Sequence, residues 1–198
     1  MEKVLINRIN HVSSHDLMNN NQYEFTPQRG TIDVANAVKD FVEKGLIAGK
    51  VTVLVSLHVK GTFDAASWSS ILNGLKAGGC PRNLYNLTKS YFSKRTTVLS
   101  TNSVRIEREV SKGCLQGPCC VPGFWNILYN SLLKLKFTER TKAIAFADDL
   151  ILAIRAKRVS EVENFSNLEL TKITAWSKSN KIIFSEEKYK IMLIMRRK

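Results

Sequence analysis

The stretch AIAFADDLILAI, residues 143–154, places two adjacent aspartates, Asp148 and Asp149, inside an otherwise apolar run. Neighbouring carboxylates repel each other, and an apolar setting makes their charges more costly. The short apolar runs on both sides indicate a β-hairpin with the acidic pair at its turn. Asp-Asp is a poorer tight-turn pair than Asn-Gly, and carboxylate oxygens are the ligands that Mg²⁺ takes. The pair is therefore either an ordinary turn or part of a Mg²⁺ site.

The composition indicates a folded protein with an excess of positive charge. Of 198 residues, 44% are hydrophobic and 24% are charged, which is typical of globular domains. Lys and Arg number 30 against 17 Asp and Glu, so the formal net charge is +13. Nucleic acid is the first candidate partner for such a chain, and an acidic membrane surface is the second. A basic protein with no polyanionic partner is the third interpretation.

The sequence contains no recognisable targeting or membrane segment. Residues 1–14 have no continuous apolar core, and no run approaches the ~18 apolar residues of a membrane span. Zinc is not expected, because the cysteines lack a second pair at finger spacing and a nearby histidine. We therefore predict an intracellular protein, cytoplasmic or nuclear, without membrane contact and with reduced thiols. The four cysteines are Cys80, Cys114, Cys119 and Cys120.

The hydrophobic pattern predicts an α+β fold with a largely antiparallel sheet, because helices and strands are mixed without regular βαβ alternation. In residues 51–59, alternate positions should face the core, and His58 falls on the partly polar face. In residues 158–180 the predicted buried side includes Val159, Phe165 and Trp176. Helices are predicted at 31–50, 64–78, 81–95, 124–137 (amphipathic) and 158–180, hairpins at 96–110 and 143–154, and strands at 51–59 and 188–195.

Five segments together resemble one enzyme family. FADD between two apolar strands resembles the motif C hairpin of reverse transcriptases. QYEFTPQRGT (22–31) is similar to a finger segment of non-LTR, LINE-like retrotransposon polymerases. Three further motifs follow in the family's order over about residues 5–195: LVSLHVKGTFDAASW (54–68, motif A), SKGCLQGPCCVPGFWN (111–126, motif B) and ITAWSKSNKIIFSEEKYKIMLI (173–194, motif D).

The resemblance implies a right-hand polymerase palm with partial fingers, in which an antiparallel sheet packs on helices. Residues 1–50 would be the partial fingers and residues 51–198 the palm, with no thumb, endonuclease or RNase H segment. In that family a primer 3′-hydroxyl attacks the α-phosphate of a dNTP, and two Mg²⁺ ions stabilise the attacking and leaving oxygens. The implied partners are an RNA template, a DNA primer and a dNTP.

The resemblance also implies roles for individual residues. Asp148 and Asp149 would be catalytic and would bind the metal, while Phe63 would pack under the sugar and select deoxynucleotides. The remaining nucleotide-binding positions would be Gln116, Gly117, Lys188 and Arg29. Each has a plainer interpretation: a core phenylalanine for Phe63, a helix-entry loop for Gln116 and Gly117, and ordinary surface cations for Lys188 and Arg29.

One catalytic carboxylate is missing. His58 lies five residues before Phe63, where the family has an aspartate, and Asp64 is a poor replacement because the family often carries that acid as well. Mg²⁺ prefers hard oxygen ligands to an imidazole nitrogen. Glu24 and Leu115 are further departures, since the family usually has Gly and Pro there. We therefore predict a polymerase fold with little or no polymerase activity.

Two other functions compete with an impaired polymerase. A polymerase relic would bind nucleic acid at most nonspecifically, through its charge. A hydrolase using the aspartate pair would need further acids or histidines that converge on it, and the chain has only His11, His15 and His58.

Overall fold

A computed structural model describes residues 2–12, 19–114 and 119–196. The chain forms two compact units. Residues 1–18 and 61–128 make up one, here called the helical unit, and residues 19–60 and 129–198 make up the other, the sheet unit. In chain order the elements are α1 (Glu2–Val12), α2 (Thr31–Ile47), β1 (Val51–His58), α3 (Thr62–Ala65), α4 (Trp68–Ala77), α5 (Arg82–Phe92), β2 (Thr96–Ser100), β3 (Arg105–Glu109), α6 (Val121–Leu133), β4 (Thr141–Phe146), β5 (Asp149–Ala156), α7 (Val159–Asn180) and β6 (Lys190–Ile194).

The sheet unit is built on four antiparallel strands in the order β4-β5-β1-β6. Strand β1 is a central strand because it pairs with β5 on one side and β6 on the other. Its odd positions from Val53 onward are apolar and buried, with Val55 and Leu57 only 3% and 2% exposed. Its pairing with β5 runs from Val51 opposite Ala156 to His58 opposite Asp149. The predicted α+β fold with an antiparallel sheet is confirmed.

Helices cover both faces of this sheet. Gly45 of α2 approaches Thr52 so closely that an added Cβ would lie 2.7 Å from the threonine Oγ1. On the opposite face, Val53 and Val55 line a groove together with Val162 of α7. Val53 and Val55 of β1 therefore lie on the face toward α7, while Thr52 lies on the face toward α2.

In the helical unit, three short helices and a hairpin follow β1. The helix predicted over 64–78 is two helices, because Ser67 caps a new start: its hydroxyl accepts a hydrogen bond from Ser70 N at 3.4 Å. The hairpin predicted at 96–110 is confirmed as β2–β3. Helix α1 had no counterpart among the predicted elements, although Leu5, Ile6 and Ile9 are buried at helical spacing.

Two helical faces differ from their predictions. Helix α6 was expected to be amphipathic, but it is buried on almost every side, with Trp125 and Tyr129 fully covered. In α7 the predicted core residue Val159 is 46% exposed, because it is the first residue of the helix. Glu169 of the same helix is fully buried instead.

No helix in the described ranges is long and apolar enough to cross a membrane. The four cysteines are free thiols.

Candidate active site

The acidic pair lies at the end of the β4–β5 hairpin. Phe146 and Asp149 pair across the two strands, so Ala147 and Asp148 form the connecting turn. Ala147 has φ = 52°, a left-handed conformation that is strained for a residue with a Cβ. Both acids keep access to solvent, with 28% of the Asp148 side chain and 54% of the Asp149 side chain exposed. The hairpin prediction is confirmed, but only Asp148 belongs to the turn.

His58 contacts both aspartates from the neighbouring strand. Antiparallel register puts His58, the last residue of β1, directly opposite Asp149. Its Nδ1 lies 2.9 Å from Asp149 Oδ1 and 3.4 Å from Asp148 Oδ2. His58, which the family resemblance predicts to occupy an aspartate position, therefore lies beside Asp148 and Asp149.

Lys188 completes a row of polar groups on the other side of His58. Residues 183–185 run along the end of β1, where Ser185 N donates to the His58 carbonyl at 2.8 Å. A single 3-10 turn, Glu186–Lys188, then brings Lys188 Nζ to 2.9 Å from His58 Nε2. An ammonium group can only donate, so Nε2 accepts and the proton of a neutral ring is on Nδ1. That Nδ1–H donates to Asp149.

Two further ionisable groups lie near the acidic pair. Residues 21–23 pair with the edge of β4, where Tyr23 N donates to Ala145 O at 3.0 Å. Burial raises the pKa of the next residue, Glu24, and the charges of Asp148 and Asp149 raise this pKa further. The same causes raise the pKa of Tyr129. In the sequence Glu24 stands out only as a departure from the family's Gly, and no local pattern relates it to the aspartates.

The residues around the turn do not fit a Mg²⁺ site. Within the described ranges, no three His, Cys, Asp or Glu side chains are arranged so that they could hold a metal ion. Both carboxylates contact the Nδ1 of His58, and this nitrogen carries the proton of a neutral ring whose Nε2 accepts from Lys188. Mg²⁺ requires oxygen ligands in near-octahedral geometry. Two carboxylates and a protonated ring nitrogen do not provide such a set of ligands.

Arg29 contributes to local structure in the sheet unit. Its guanidinium donates to the carbonyl of Asn20, to the carbonyl of Gln22 at 3.3 Å and to Asn20 Oδ1 at 3.3 Å. It also lies 5.4 Å from the centroid of the Tyr23 ring. These contacts hold the turn that carries Glu24. The nucleotide-binding role of Arg29 stays a prediction.

The remaining predicted site residues belong to the helical unit. Phe63 is half-buried and lies edge-on to Trp125, with ring centroids 6.4 Å apart, and its carbonyl accepts from Cys114 N at 2.8 Å. Gly113 has φ = 88°, and a Cβ there would lie 3.1 Å from Asp64 O, so the loop requires glycine. Gln116 and Gly117 lie outside the described residues. The nucleotide-binding roles of these residues stay predictions.

The known proteins that this chain resembles are reverse transcriptases and proteins of retrotransposable elements. Residues 1–197 match the family described as reverse transcriptase (RNA-dependent DNA polymerase), whose members use divalent metals. The chain is 28% identical over 194 residues to a 115 kDa protein in the type-1 retrotransposable element R1DM of Drosophila melanogaster. It is 26% identical over 178 residues to a Pol polyprotein from the type-1 element R1 of Bradysia coprophila. These matches cover 98% and 90% of this chain but 18% and 17% of the relatives.

Solved structures show the same fold. An apo telomerase from Candida tropicalis, truncated from its C-terminal domain, matches with a TM-score of 0.73 at 14% identity, covering 97% of this chain and 40% of that one. The telomerase of the same organism, in complex with a fragment of telomeric RNA, matches with a TM-score of 0.72 at 13% identity over 96% and 33% of the two chains. The fold is thus that of a polymerase palm, and the chain belongs to the reverse transcriptase family, as a domain of the non-LTR, LINE-like type.

Proposed function

We propose that this domain is an RNA-directed DNA polymerase whose chemical step is impaired by His58. The observation that carries the proposal is the contact of His58 Nδ1 with Asp149 Oδ1 at 2.9 Å. The family's third carboxylate would belong at this point, so the change is at the centre of the acidic cluster rather than at its edge. Asp148 and Asp149 are proposed as the two catalytic carboxylates that remain, and they would bind a divalent metal only if position 58 also supplied a carboxylate.

The expected deficit is large because phosphoryl transfer depends on charge stabilisation. In this family the divalent ions supply most of that stabilisation, and the protein supplies positioning. His58 offers a hydrogen bond to Asp149 in place of a carboxylate. Losing one central ligand is expected to lower the rate by about 10³-fold, equivalent to roughly 4 kcal/mol of transition-state stabilisation.

The proposed partners are an RNA template, a DNA primer and a dNTP. Support comes from the family and from the telomerase relative that was solved with a fragment of telomeric RNA. The net charge of +13 also suits a phosphate backbone. In the proposed domain division, residues 1–50 are partial fingers and residues 51–198 are palm.

The decisive experiment is primer extension on an RNA template in the presence of Mg²⁺ or Mn²⁺. We expect no sustained extension by the unmodified protein and an increase of about 10²- to 10³-fold in His58→Asp. The double variant His58→Asp/Asp148→Asn should be inactive again. His11→Asp is the matched control, because it makes the same substitution at an exposed histidine of α1. Robust extension by the unmodified protein would refute the impairment.

A polymerase relic that binds nucleic acid through charge alone is the second candidate, and the +13 net charge favours it. The two candidates differ in what the domain recognises. A relic should bind single-stranded RNA, duplex and primer-template with similar affinity and a similar salt slope. A domain that keeps its polymerase surface should prefer the primer-template, and filter-binding titrations over a series of salt concentrations measure this difference.

A further inference from the structure

We propose that Lys188 and His58 together take the place of a divalent cation beside Asp148 and Asp149 and close this carboxylate pair to Mg²⁺. The proposal rests on the assignment of the two aspartates made above. It gives Lys188 a positioning role toward His58, which differs from the nucleotide-binding role implied by the family resemblance.

The imidazole of His58 lies against both carboxylates. Its Nδ1 lies 2.9 Å from an oxygen of Asp149 and 3.4 Å from an oxygen of Asp148. A Mg²⁺ ion that bridged the same two oxygens would need to approach each of them to about 2.1 Å. The Nδ1–H of His58 already points into this space toward Asp149. A cation and this N–H group therefore compete for the same carboxylate oxygens.

Lys188 sets the direction of that proton. Lys188 Nζ lies 2.9 Å from Nε2, on the far side of the ring. Because the ammonium has no lone pair, it holds the neutral ring in the tautomer with the proton on Nδ1. In this tautomer Nδ1 has no lone pair to offer a metal. The row Lys188–His58–Asp149 thus carries a positive charge at one end and a negative charge at the other, joined by two hydrogen bonds.

Backbone hydrogen bonds fix the position of His58. The His58 carbonyl accepts a hydrogen bond from Ser185 N at 2.8 Å, and Val59 N donates to the Asp148 carbonyl at 3.3 Å. Beyond that point, Val59 forms a bridge with Phe184. The backbone around His58 is therefore tied to the aspartate turn on one side and to the segment preceding Lys188 on the other. The imidazole can leave the carboxylates only by a side-chain rotation that breaks both of its hydrogen bonds.

The test combines calorimetric titration with MgCl₂ and ¹⁵N NMR of the histidine rings, both on the full chain. The unmodified protein should show no saturable Mg²⁺ binding at millimolar concentrations. His58→Asp should bind Mg²⁺ saturably, and His58→Asp/Asp149→Asn should lose that binding. In the NMR spectrum of the unmodified protein, His58 should be the Nδ1–H tautomer. Lys188→Met should shift this ring toward a mixture of tautomers, whereas Lys44→Met, the same change at an exposed lysine of α2, should not.

Three results would overturn the proposal. One is Mg²⁺ binding by the unmodified protein that Asp149→Asn abolishes. Another is a His58 ring that carries its proton on Nε2, or a tautomer that Lys188→Met leaves unchanged. The third is a folded His58→Asp variant that binds no Mg²⁺, since the aspartates would then not be a cation site. If His58→Asp does not fold, the NMR measurements on the unmodified protein and Lys188→Met still decide.

Mg²⁺ binding and primer extension distinguish a failure of this inference from a failure of the proposed function. If His58→Asp binds Mg²⁺ but does not extend a primer, the polymerase assignment fails while the closure of the aspartate pair stands. If the unmodified protein binds Mg²⁺ at the aspartates and extends primers, both proposals fail.

Discussion

Two carboxylates of the sheet unit meet a lysine in opposite ways. Glu169 of α7 is fully buried, and its side chain contacts Lys172 Nζ directly at 2.7 Å. Asp149 is about half exposed, and Lys188 reaches it only through the imidazole of His58. Lys172 neutralises the buried Glu169 by direct contact, whereas Lys188 acts on Asp149 through the side chain of His58.

The difference separates a structural contact from one that we propose to be functional. Besides Lys172, Glu169 accepts hydrogen bonds from Thr138 N at 2.7 Å and from Thr141 Oγ1 at 3.2 Å. It thereby fastens the start of β4 to α7. Burial alone would raise the pKa of Glu169, but the hydrogen bonds from Lys172 and Thr138 outweigh it and hold this pKa below its usual value. Asp149 keeps solvent access, which a reactive or ligand-binding group requires.

The largest expected effect follows from breaking the buried contact. Glu169→Gln should lower the free energy of unfolding by about 3 kcal/mol, because it removes the charge that Lys172 and the backbone N–H of Thr138 are placed to meet. Urea unfolding measures this change. Glu163→Gln is the matched control on an exposed position of the same helix and should stay within about 0.5 kcal/mol. Equal losses in the two variants would show that Glu169 is not a structural contact.

Acid should remove the difference in the free energy of unfolding between the unmodified protein and Glu169→Gln. Glu169 has a lowered pKa in the folded state, so its contribution is fully present above the unfolded pKa, near 4.5, and is lost as the pH falls through the folded value. The difference in the free energy of unfolding between the unmodified protein and Glu169→Gln should therefore be constant at neutral pH and decrease below pH 4.5. Unfolding titrations at a series of pH values measure it. A gap that widened with acid would contradict the direction of the pKa shift.

These two regions also differ in how far the sequence could predict them. The acidic hairpin was visible because two aspartates interrupt an apolar run, and His58 was visible because it breaks a family motif. Glu169 was not, because a lone glutamate on a helix is usually solvent-exposed. Its partners Thr138 and Thr141 come from a loop and a strand start some 30 residues earlier, and no local pattern relates them to the helix.

The strand register was the second feature that could not be predicted from the sequence. The alternation in residues 51–59 predicted which face of β1 is buried and put His58 on the other face. It could not show that His58 pairs with Asp149, because these residues are 91 positions apart and hydrophobic alternation repeats every two residues. The contact between Lys188 and His58 spans 130 positions and depends on a single 3-10 turn.

An intermediate effect is expected when the lysine that contacts the buried Glu169 is removed. Lys172→Met should lower the free energy of unfolding by about 2 kcal/mol, because Glu169 keeps its bonds to Thr138 and Thr141 but loses its only cationic contact among the described residues. Lys172 also donates to the Lys136 carbonyl at 2.8 Å, which adds to the loss. Urea unfolding measures the change, and Lys44→Met controls for the removal of an exposed positive charge. A loss no greater than that of the control would refute the importance of this ion pair.

The smallest expected effect is at the exposed carboxylate. Asp149→Asn should change the free energy of unfolding by less than about 1 kcal/mol, because solvent and salt screen an exposed charge and the amide oxygen can still accept from His58 Nδ1. The loss of repulsion with Asp148 opposes the loss of the attraction transmitted from Lys188, so the two contributions partly cancel. Urea unfolding should therefore distinguish Asp149→Asn from Glu169→Gln by about 2 kcal/mol or more. If Asp149→Asn were as destabilising as Glu169→Gln, the turn would be a structural contact like the buried one, and its solvent access would not indicate a reactive site.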